Sequence, residues 1–334
     1  MPQGFDAKRP FFNSSGLGVY SRSTVDILNR YAPQNRYTLF TPKEGNRCGF
    51  HVPETMEVVR PHGPAASFGS LWRSYGMGRS IRKSGVDIYH GLSAELPSDI
   101  GRSGARSVVT IHDLIFVHHP ELYTPADRYL YTKKYKRSCV DVDRIIAISR
   151  QTEEDLAGYW NIPREKIDVV YQGCSPIFAD KASAGELSAV RDKYSLPAEY
   201  ILSVGSIEPR KNLMLTVKAM AEHRIDKDIH LVACGKHTPY ADEVMEYAAR
   251  KSIARRVHMH HNVSFSELPA VYQMASVFVY PSFYEGFGIP ILEALNSGVP
   301  TITTQGGVFP ETGGDACIYI DPNDPEQMAT AINS

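Results

Sequence analysis

Residues 280–295 of this 334-residue chain read Tyr-Pro-Ser-Phe-Tyr-Glu-Gly-Phe-Gly-Ile-Pro-Ile-Leu-Glu-Ala-Leu. The stretch predicts a buried strand that ends at Tyr280, a loop with two glycines, and a helix. Pro290 is typical of a helix's first turn, and Gly298 with Pro300 is typical of the residues after its last turn. A strand that passes through such a loop into a helix is the unit of α/β folds with parallel sheets.

Short apolar runs rich in Val and Ile recur along the chain and alternate with polar, helix-like stretches. Runs of this kind are typical of parallel strands that are buried on both faces. Strands are predicted at Gly4–Lys8, Tyr37–Phe40, Val86–Tyr89, Ser107–Ile111, Arg144–Ile148, Ile167–Val170, Tyr200–Val204, His230–Ala233, Val277–Tyr280, Thr301–Thr303 and Cys317–Ile320. Helices are predicted at Ser21–Tyr31, Arg128–Cys139, Thr152–Tyr159, Leu213–Glu222, Tyr240–Arg250 and Ser266–Ala275.

A polar segment divides the chain near its middle. The stretch Ser175–Glu199 contains the polar residues 180–186 and Pro197, and it separates two sets of strands and helices of similar size. The length suffices for two domains of about 100–200 residues each. We therefore predict two α/β domains, residues 1–180 and 181–334.

Composition limits the class of protein. Hydrophobic residues make up 43% of the chain, charged residues 22%, and the net charge is −1. Nucleic-acid binding by counterion release normally needs a basic excess, so we expect no nucleic-acid partner. The five cysteines are scattered without a CxxC pair, which is typical of a reducing compartment. The sequence begins without the apolar core of a signal peptide and has no apolar run of about 18 residues, which predicts a soluble, cytoplasmic protein.

Two carboxylates frame the glycine loop of residues 280–295. Glu285 precedes the predicted helix and Glu293 lies two turns into it, roughly 12 Å along the axis. The amides of Gly286–Gly288 lie at the helix start, where an anion is stabilised. This pattern suits a diphosphate with a hydroxyl-bearing group at each end. The alternative is two ordinary helix carboxylates, which leaves the Gly-Phe-Gly loop unexplained.

A second candidate loop follows the strand Tyr200–Val204. Its sequence, residues 205–212, is Gly-Ser-Ile-Glu-Pro-Arg-Lys-Asn. Two adjacent cations, Arg210 and Lys211, at the carboxyl end of a parallel strand suit a diphosphate, because Arg holds two oxygens at once and Lys acts as a point charge. A solvated loop with incidental charges is the alternative reading.

A third glycine loop, with Gly16 and Gly18, lies between the predicted strand Gly4–Lys8 and a helix. Glycines at such a turn let a phosphate or sugar approach the backbone. The dinucleotide fingerprint also needs a third glycine, where this chain has Ser21, and an acidic residue about 20 positions later, where it has Thr38–Thr41. A nicotinamide cofactor is therefore disfavoured, and a plain tight turn is the remaining alternative.

These motifs together resemble the retaining glycosyltransferases of family GT4. Glu285 and Glu293, with seven residues between them, follow the loop pattern of that family, and the Gly16–Gly18 loop, Gly205–Asn212 and Val169–Phe178 match it in order. The resemblance implies a GT-B fold with two Rossmann-like domains whose parallel sheets face an interdomain cleft. The first domain is then expected to bind the acceptor and the second the nucleotide-sugar donor. Relatives are expected to continue beyond Ser334 into a helix that crosses back to the first domain.

The resemblance also assigns roles to individual residues. Arg210 and Lys211 are expected to bind the donor diphosphate, Glu285 the transferred sugar, and Glu293 the ribose. The expected catalytic residues are His112, Glu285, Arg210 and Lys211. The expected donor-binding residues are Gly16, Gly18, Gly205, Ser206, Val263 (through its backbone, near the base), Gly286, Phe287, Gly288, Ile289 and Glu293.

The sequence predicts neither a cofactor nor a metal. Histidines that suggest a metal site are His112, His118 and His119, and, on one strand face, His258 and His260. No carboxylate stands at a recognised ligand spacing to either group, which favours structural or surface histidines. The resemblance implies that cations take the place of a metal, with a GDP- or UDP-linked sugar as substrate rather than cofactor.

The donor and acceptor are indicated only in outline. Residues 112–121 resemble those of mannosyltransferases that use GDP-mannose, and UDP-glucose or another UDP-sugar is the alternative donor. A glycan or lipid-linked acceptor from polysaccharide synthesis fits the family. Two other classes stay open, an NAD-dependent oxidoreductase and a non-catalytic protein that binds nucleotide sugars.

The segment Tyr123–Arg137 combines five basic residues with four tyrosines. A basic, aromatic helix of this kind can rest on anionic lipid headgroups. A solvated helix face is the more frequent outcome for such a segment, and peripheral contact with the inner face of the membrane is the alternative hypothesis.

Overall fold

The computed structural model describes residues 1–222 and 225–334. The chain forms two compact units, Met1–Tyr171 and Gln172–Ser334. The sequence prediction placed this division at residue 180. Each unit is a parallel sheet with helices packed against it, which confirms the predicted α/β class.

The first unit contains a seven-stranded sheet in which all the strand pairs are parallel. Its strands are β1 (Pro2–Asp6), β2 (Arg36–Phe40), β3 (Met56–Val59), β4 (Ile88–Gly91), β5 (Arg106–Ile111), β6 (Arg144–Ala147) and β7 (Ile167–Val169). They lie in the order β3-β2-β1-β4-β5-β6-β7. The chain therefore reverses its direction of travel across the sheet at the β1–β4 pair, the topological switch point where α/β proteins bind ligands.

Seven α-helices surround the first sheet. They are α1 (Lys8–Phe12), α2 (Gly16–Tyr31), α3 (Gly69–Tyr75), α4 (Met77–Ser84), α5 (Ile115–His118), α6 (Pro125–Val140) and α7 (Arg150–Trp160). Buried aliphatic and aromatic side chains fill the space between sheet and helices, with Val109, Ile111 and Ile145 fully buried at the centre of one cluster. Ser149 caps α7 by accepting a hydrogen bond from the amide of Thr152, which fixes where that helix begins.

The second unit contains a six-stranded parallel sheet. Its strands are β8 (Tyr200–Val204), β9 (His230–Cys234), β10 (Val257–His260), β11 (Val277–Tyr280), β12 (Thr301–Thr304) and β13 (Cys317–Ile320), in the order β10-β9-β8-β11-β12-β13. Its helices are α8 (Ala184–Tyr194), α9 (Leu213–Glu222), α10 (Pro239–Arg250), α11 (Leu268–Gln273), α12 (Ile289–Asn296), α13 (Phe309–Gly313) and α14 (Pro325–Asn333). The switch point of this sheet is the β8–β11 pair.

The predicted strand between residues 4 and 8 is wrong at both ends. Strand β1 ends at Asp6, and the separate helix α1 follows it before the glycine loop. Gly16 and Gly18 therefore lie in the first turn of α2 and not in a strand-to-helix turn. A Cβ on Gly18 would stand 1.8 Å from the carbonyl oxygen of Asn13, so this close approach of two backbone segments requires glycine there.

Candidate active site

The two loops that the sequence singled out in the second unit lie side by side. Residues 205–212 follow β8 and residues 281–288 follow β11, and these two strands are hydrogen-bonded neighbours. The amide of Phe283 donates to the carbonyl oxygen of Arg210 at 2.9 Å, which ties one loop to the other. Both loops therefore meet at the carboxyl edge of the sheet, at its switch point.

A buried cluster of charges forms where the loops meet. Glu285 Oε1 lies 2.7 Å from Nη1 of Arg210 and 2.5 Å from Nζ of Lys211. The three side chains are only 10%, 11% and 17% exposed, in the order Glu285, Arg210, Lys211. A second carboxylate, Glu208, lies 2.7 Å from Nη2 of Arg210 and is 36% exposed. The sequence-predicted catalytic residues of this unit are therefore in direct contact.

The cluster sets the ionisation of its members. Burial by itself raises the pKa of Glu285, but Lys211 and then Arg210 outweigh burial, so this pKa lies below its ordinary value. Burial lowers the pKa of Lys211, against the opposing effect of Glu285. Glu285 and Glu208 offset the two cations of the cluster, so Arg210 or Lys211 must exchange a carboxylate for a ligand anion in order to bind it.

Tyr280 is a member of the cluster that sequence reasoning missed. It is the last residue of β11 and is fully buried, and its hydroxyl accepts a hydrogen bond from Nζ of Lys211. The ammonium group also stands 4.7 Å from the centre of the Tyr280 ring, in a cation–π contact. An all-apolar strand concealed this role, because the tyrosine reads as one more buried strand residue. Tyr280 positions Lys211 toward Glu285.

Helix α12 begins directly after the glycine loop, as the sequence predicts. Gly288 caps it with φ of +95°, a left-handed conformation that favours glycine, and Pro290 lies in its first turn. The carbonyl oxygen of Phe287 accepts a hydrogen bond from Thr312 Oγ1 at 2.5 Å, which holds the loop from the side of α13. The N-terminal amides of an eight-residue helix thus begin beside the charge cluster.

Glu293 lies on α12 in a different environment. It is buried, and its Oε2 accepts a hydrogen bond from the hydroxyl of Tyr272 at 3.0 Å. Burial raises the pKa of Glu293 to about 7, although the Tyr272 hydroxyl opposes the shift. In the described part of the chain (residues 1–222 and 225–334), no group donates a hydrogen bond to its other oxygen, Oε1. That oxygen is available to a ligand hydroxyl.

The remaining donor-site candidates of this unit lie on the same edge of the sheet. Gly205 has φ of +143°, and its carbonyl oxygen would stand 1.7 Å from a Cβ on Gly235, so the loops after β8 and β9 touch through backbone. Ser206 belongs to the loop after β8, and Val263 lies in the loop after β10. Their predicted contacts with the donor stay predictions.

The first-unit candidate His112 lies just after β5. Its Nε2 is 3.0 Å from the carbonyl oxygen of Leu92. The rings of His112 and Tyr20 form an edge-to-face contact with 4.6 Å between their centres. Burial lowers the pKa of His112 to about 4, so the imidazole is neutral near pH 7. A neutral imidazole exchanges hydrogen bonds with a hydroxyl but carries no charge for a phosphate.

The other glycine-loop candidates and the histidines have protein partners. Asn13 Oδ1 accepts hydrogen bonds from the amides of Ser15 (2.9 Å) and Gly18 (3.1 Å), so the Gly18 amide is already engaged. His118 Nε2 lies 2.8 Å from Asp155. Across residues 1–222 and 225–334, no three His, Cys, Asp or Glu side chains are grouped so as to hold a metal ion.

The fold is that of known glycosyltransferases. The crystal structure of Anabaena HepE in complex with UDP and glucose covers 100% of this chain, matches it with a TM-score of 0.73 at 18% identity, and is itself covered over 89% of its length. Two α/β units with parallel sheets and this likeness define the GT-B class of fold.

The family follows from sequence. The model described as glycosyltransferase family 4 matches residues 20–176, and the model described as glycosyl transferases group 1 matches residues 191–334. Between them they account for most of the chain. This protein belongs to the glycosyltransferase family that these two models describe, as its motifs indicated.

Two of the proteins similar to this chain are mannosyltransferases by name. O-antigen chain mannosyltransferase B of Escherichia coli is 32% identical over 249 residues, which are 73% of this chain and 64% of the relative. O-antigen chain mannosyltransferase RfbU of Salmonella typhimurium is 27% identical over 228 residues, 68% of this chain and 60% of the relative. The chain thus spans less than two thirds of the length of each.

Proposed function

We propose that this protein is a retaining glycosyltransferase that moves mannose from GDP-mannose to a hydroxyl of a glycan or lipid-linked acceptor. The observation that carries the proposal is the buried contact of Arg210 and Lys211 with Glu285 at the switch point of the second sheet. Two cations, a helix N-terminus and a sugar-binding carboxylate at one sheet edge match the parts of a sugar diphosphate.

The residues divide the work of binding as follows. Arg210 and Lys211 bind the diphosphate and turn from Glu285 toward it, while Glu285 accepts hydrogen bonds from the hydroxyls of the transferred sugar. Glu293 accepts them from the ribose through Oε1. Arg210 and Lys211 thus supply the positive charge that holds the diphosphate.

The proposed chemical step is a front-face substitution. The bond between the anomeric carbon and the phosphate oxygen breaks, and the acceptor oxygen bonds to that carbon on the same face. The departing phosphate oxygen takes the acceptor's proton. Arg210, Lys211 and the amides of Gly286–Gly288 stabilise the negative charge that develops on the phosphate. His112, being neutral, contributes a hydrogen bond to a sugar hydroxyl.

The choice of mannose rests on the relatives, and the choice of GDP rests on the resemblance of residues 112–121 to mannosyltransferases that use GDP-mannose. Both relatives carry names that specify mannosyl transfer in O-antigen chains, while the structurally similar HepE was solved with UDP. We place GDP first as the nucleotide of the donor and keep UDP as the alternative.

Thermal unfolding with nucleotides tests the proposal. GDP at 100 times its dissociation constant adds about 2.7 kcal/mol to the free energy of unfolding, which raises Tm by several degrees. We expect this shift with GDP and a smaller or no shift with UDP. A shift with UDP alone replaces the base, and a shift with NAD alone contradicts the proposal in favour of an oxidoreductase. Release of mannose from GDP-mannose without acceptor then separates a transferase from a protein that only binds.

We further propose that α6 contacts an anionic membrane surface. Tyr129 and Leu130 on this helix are 65% and 51% exposed, and three lysines (Lys133, Lys134, Lys136) are exposed on the same helix. Each cation near such a surface contributes about 1 kcal/mol. Within residues 1–222 and 225–334, no helix is both long and apolar enough to cross a bilayer.

Sedimentation with vesicles checks this contact. We expect the protein to pellet with vesicles that contain 30% phosphatidylglycerol, to stay in the supernatant with pure phosphatidylcholine, and to lose binding at about 0.5 M salt. Replacing Lys133 and Lys136 by glutamine should weaken binding at least tenfold, while the matched pair Arg79→Gln and Lys83→Gln on α4 should not. Equal pelleting with both kinds of vesicle argues against the proposal.

A further inference from the structure

A short turn after β4 gathers side chains from three separate parts of the first unit. Its residues, 92–95, lie at the switch point of that sheet, and Ala94 adopts a left-handed conformation with φ of +56° although it is buried. A non-glycine residue in this region is strained, and such strain persists only where the surroundings impose it. The amide of Ala94 donates to the carbonyl oxygen of Thr110 at 2.8 Å, which holds the turn against β5.

Two side chains meet this turn at consecutive residues. His112 Nε2 lies 3.0 Å from the carbonyl oxygen of Leu92, and Arg9 donates from Nε to Ser93 Oγ at 3.3 Å. The turn therefore brings the guanidinium group of Arg9 to the neighbourhood of the His112 imidazole, although the two residues are far apart in sequence.

Two carboxylates near the turn, Glu95 within it and Asp6 at the end of β1, are ion-paired with Arg73, although both also act electrostatically on Lys8. Arg73, buried, lies 2.5 Å from Asp6 and 2.5 Å from Glu95. In the part of the chain that the structure describes, residues 1–222 and 225–334, neither Lys8 nor Arg9 has a carboxylate within ion-pair distance. Arg9 is half-buried, and its single hydrogen bond leaves four of its five N–H groups for a ligand.

We propose that Arg9, with Lys8 beside it, forms an anion subsite that binds a phosphate or carboxylate group of the acceptor next to His112. A half-buried guanidinium group without a counter-charge binds such an anion in a bidentate manner, and the lysine adds a mobile charge. This inference rests on the proposed function and narrows it: the acceptor is an anionic sugar or sugar phosphate and not a neutral glycan.

Ligand-observed NMR on the full chain, with the donor site first saturated by GDP, tests the subsite. The probes are mannose 1-phosphate, glucuronic acid and the neutral methyl α-mannoside. We expect one or both anionic probes to bind at least tenfold more tightly than the neutral one. Binding of the phosphate alone identifies a phosphorylated acceptor, and binding of the glucuronate alone identifies an acidic sugar.

Variants then assign the binding to the residues named. Arg9→Met should weaken the anionic probes at least tenfold, and Lys8→Gln, at an exposed position that the fold tolerates, severalfold. Arg79→Gln, an exposed cation on α4, should leave their binding unchanged. Equal affinity for the neutral probe, or unchanged binding in both the Lys8 and Arg9 variants, overturns the subsite. So does an Arg9→Met variant that weakens GDP itself to the same extent, because the guanidinium group then serves the donor.

The same experiment separates this inference from the proposed function. If neither GDP nor UDP binds the wild-type protein, the proposed function fails at the first step. Anion binding that depends on Arg9 is still read directly from the probes.

Discussion

Replacing Arg210 by alanine is expected to lower kcat for sugar transfer by about 10²–10³-fold without unfolding the protein. Groups that stabilise the charge developing in a transition state are worth about 2.7–4 kcal/mol each when removed. In the proposed step Arg210 is such a group, because its guanidinium group turns from Glu285 to the departing phosphate. The fold should survive, because Lys211 still neutralises Glu285 in the variant.

Steady-state kinetics with GDP-mannose and a thermal melt of the same sample measure the two quantities together. Arg255→Ala is the matched control, because Arg255 is an exposed cation of the same unit. Lys211→Ala should lower kcat at least tenfold for the same reason. A near-normal kcat in both cluster variants, with unchanged melting, would falsify the role assigned to the two cations.

Replacing Glu293 by glutamine should make the ligand-free protein more stable at pH 8. The pKa of about 7 in the folded chain lies above the ordinary value of 4.5 for an unfolded glutamate, so the folded state resists ionisation. Glu293 therefore does not lower the free energy of unfolding below pH 4.5. Its destabilising effect grows as the pH rises and is complete once the pH has passed 7. The difference between the folded and the unfolded pKa corresponds to about 3 kcal/mol in the free energy of unfolding at pH 8. The glutamine variant should regain at most this amount. Urea unfolding at pH 5 and pH 8 measures it.

The same substitution should weaken nucleotide binding. An ionised Glu293 accepts charge-assisted hydrogen bonds from ribose hydroxyls, and their loss costs about 1.5–3 kcal/mol, or roughly tenfold or more in Kd for GDP at pH 8. The difference between wild type and variant should shrink toward pH 6, where the wild-type side chain is mostly protonated. Glu246→Gln, on an exposed face of α10, should change neither quantity. Parallel losses of stability and affinity in the Glu293 variant contradict this role.

The parts of the fold that the sequence predicted well are those with a strong local pattern. Strands β8, β11 and β13 and helix α9 match their predicted bounds because each is a continuous apolar or helix-forming run. Strand β3 was missed, since Met56–Val59 is a four-residue edge strand interrupted by a glutamate, and an edge strand buries too little to show a clear pattern.

The same limit applies to the functional residues. Arg210, Lys211 and Glu285 lie in loops with recognisable glycines, so the sequence predicted that these loops form a binding site. The contact of Tyr280 with Lys211 depends on which strands are neighbours, and that of Arg73 with Asp6, across 67 residues, depends on where α3 lies in the first unit. Sheet order is a long-range property that a single sequence does not state, so these contacts had no local signal.

The order of strands in the two sheets also limits when each sheet can form during synthesis of the chain. The pair at the centre of the first sheet joins Gln3 to Ile88, and the pair at the centre of the second joins Ile201 to Val277. Neither of these strand pairs can form on the ribosome until its later strand has emerged. Pairings between residues so distant in sequence form slowly. At about 5–20 residues per second, synthesis of residues 172–334 takes on the order of 10–30 s. During that interval the first unit has all of its own strands and can fold before its partner unit exists.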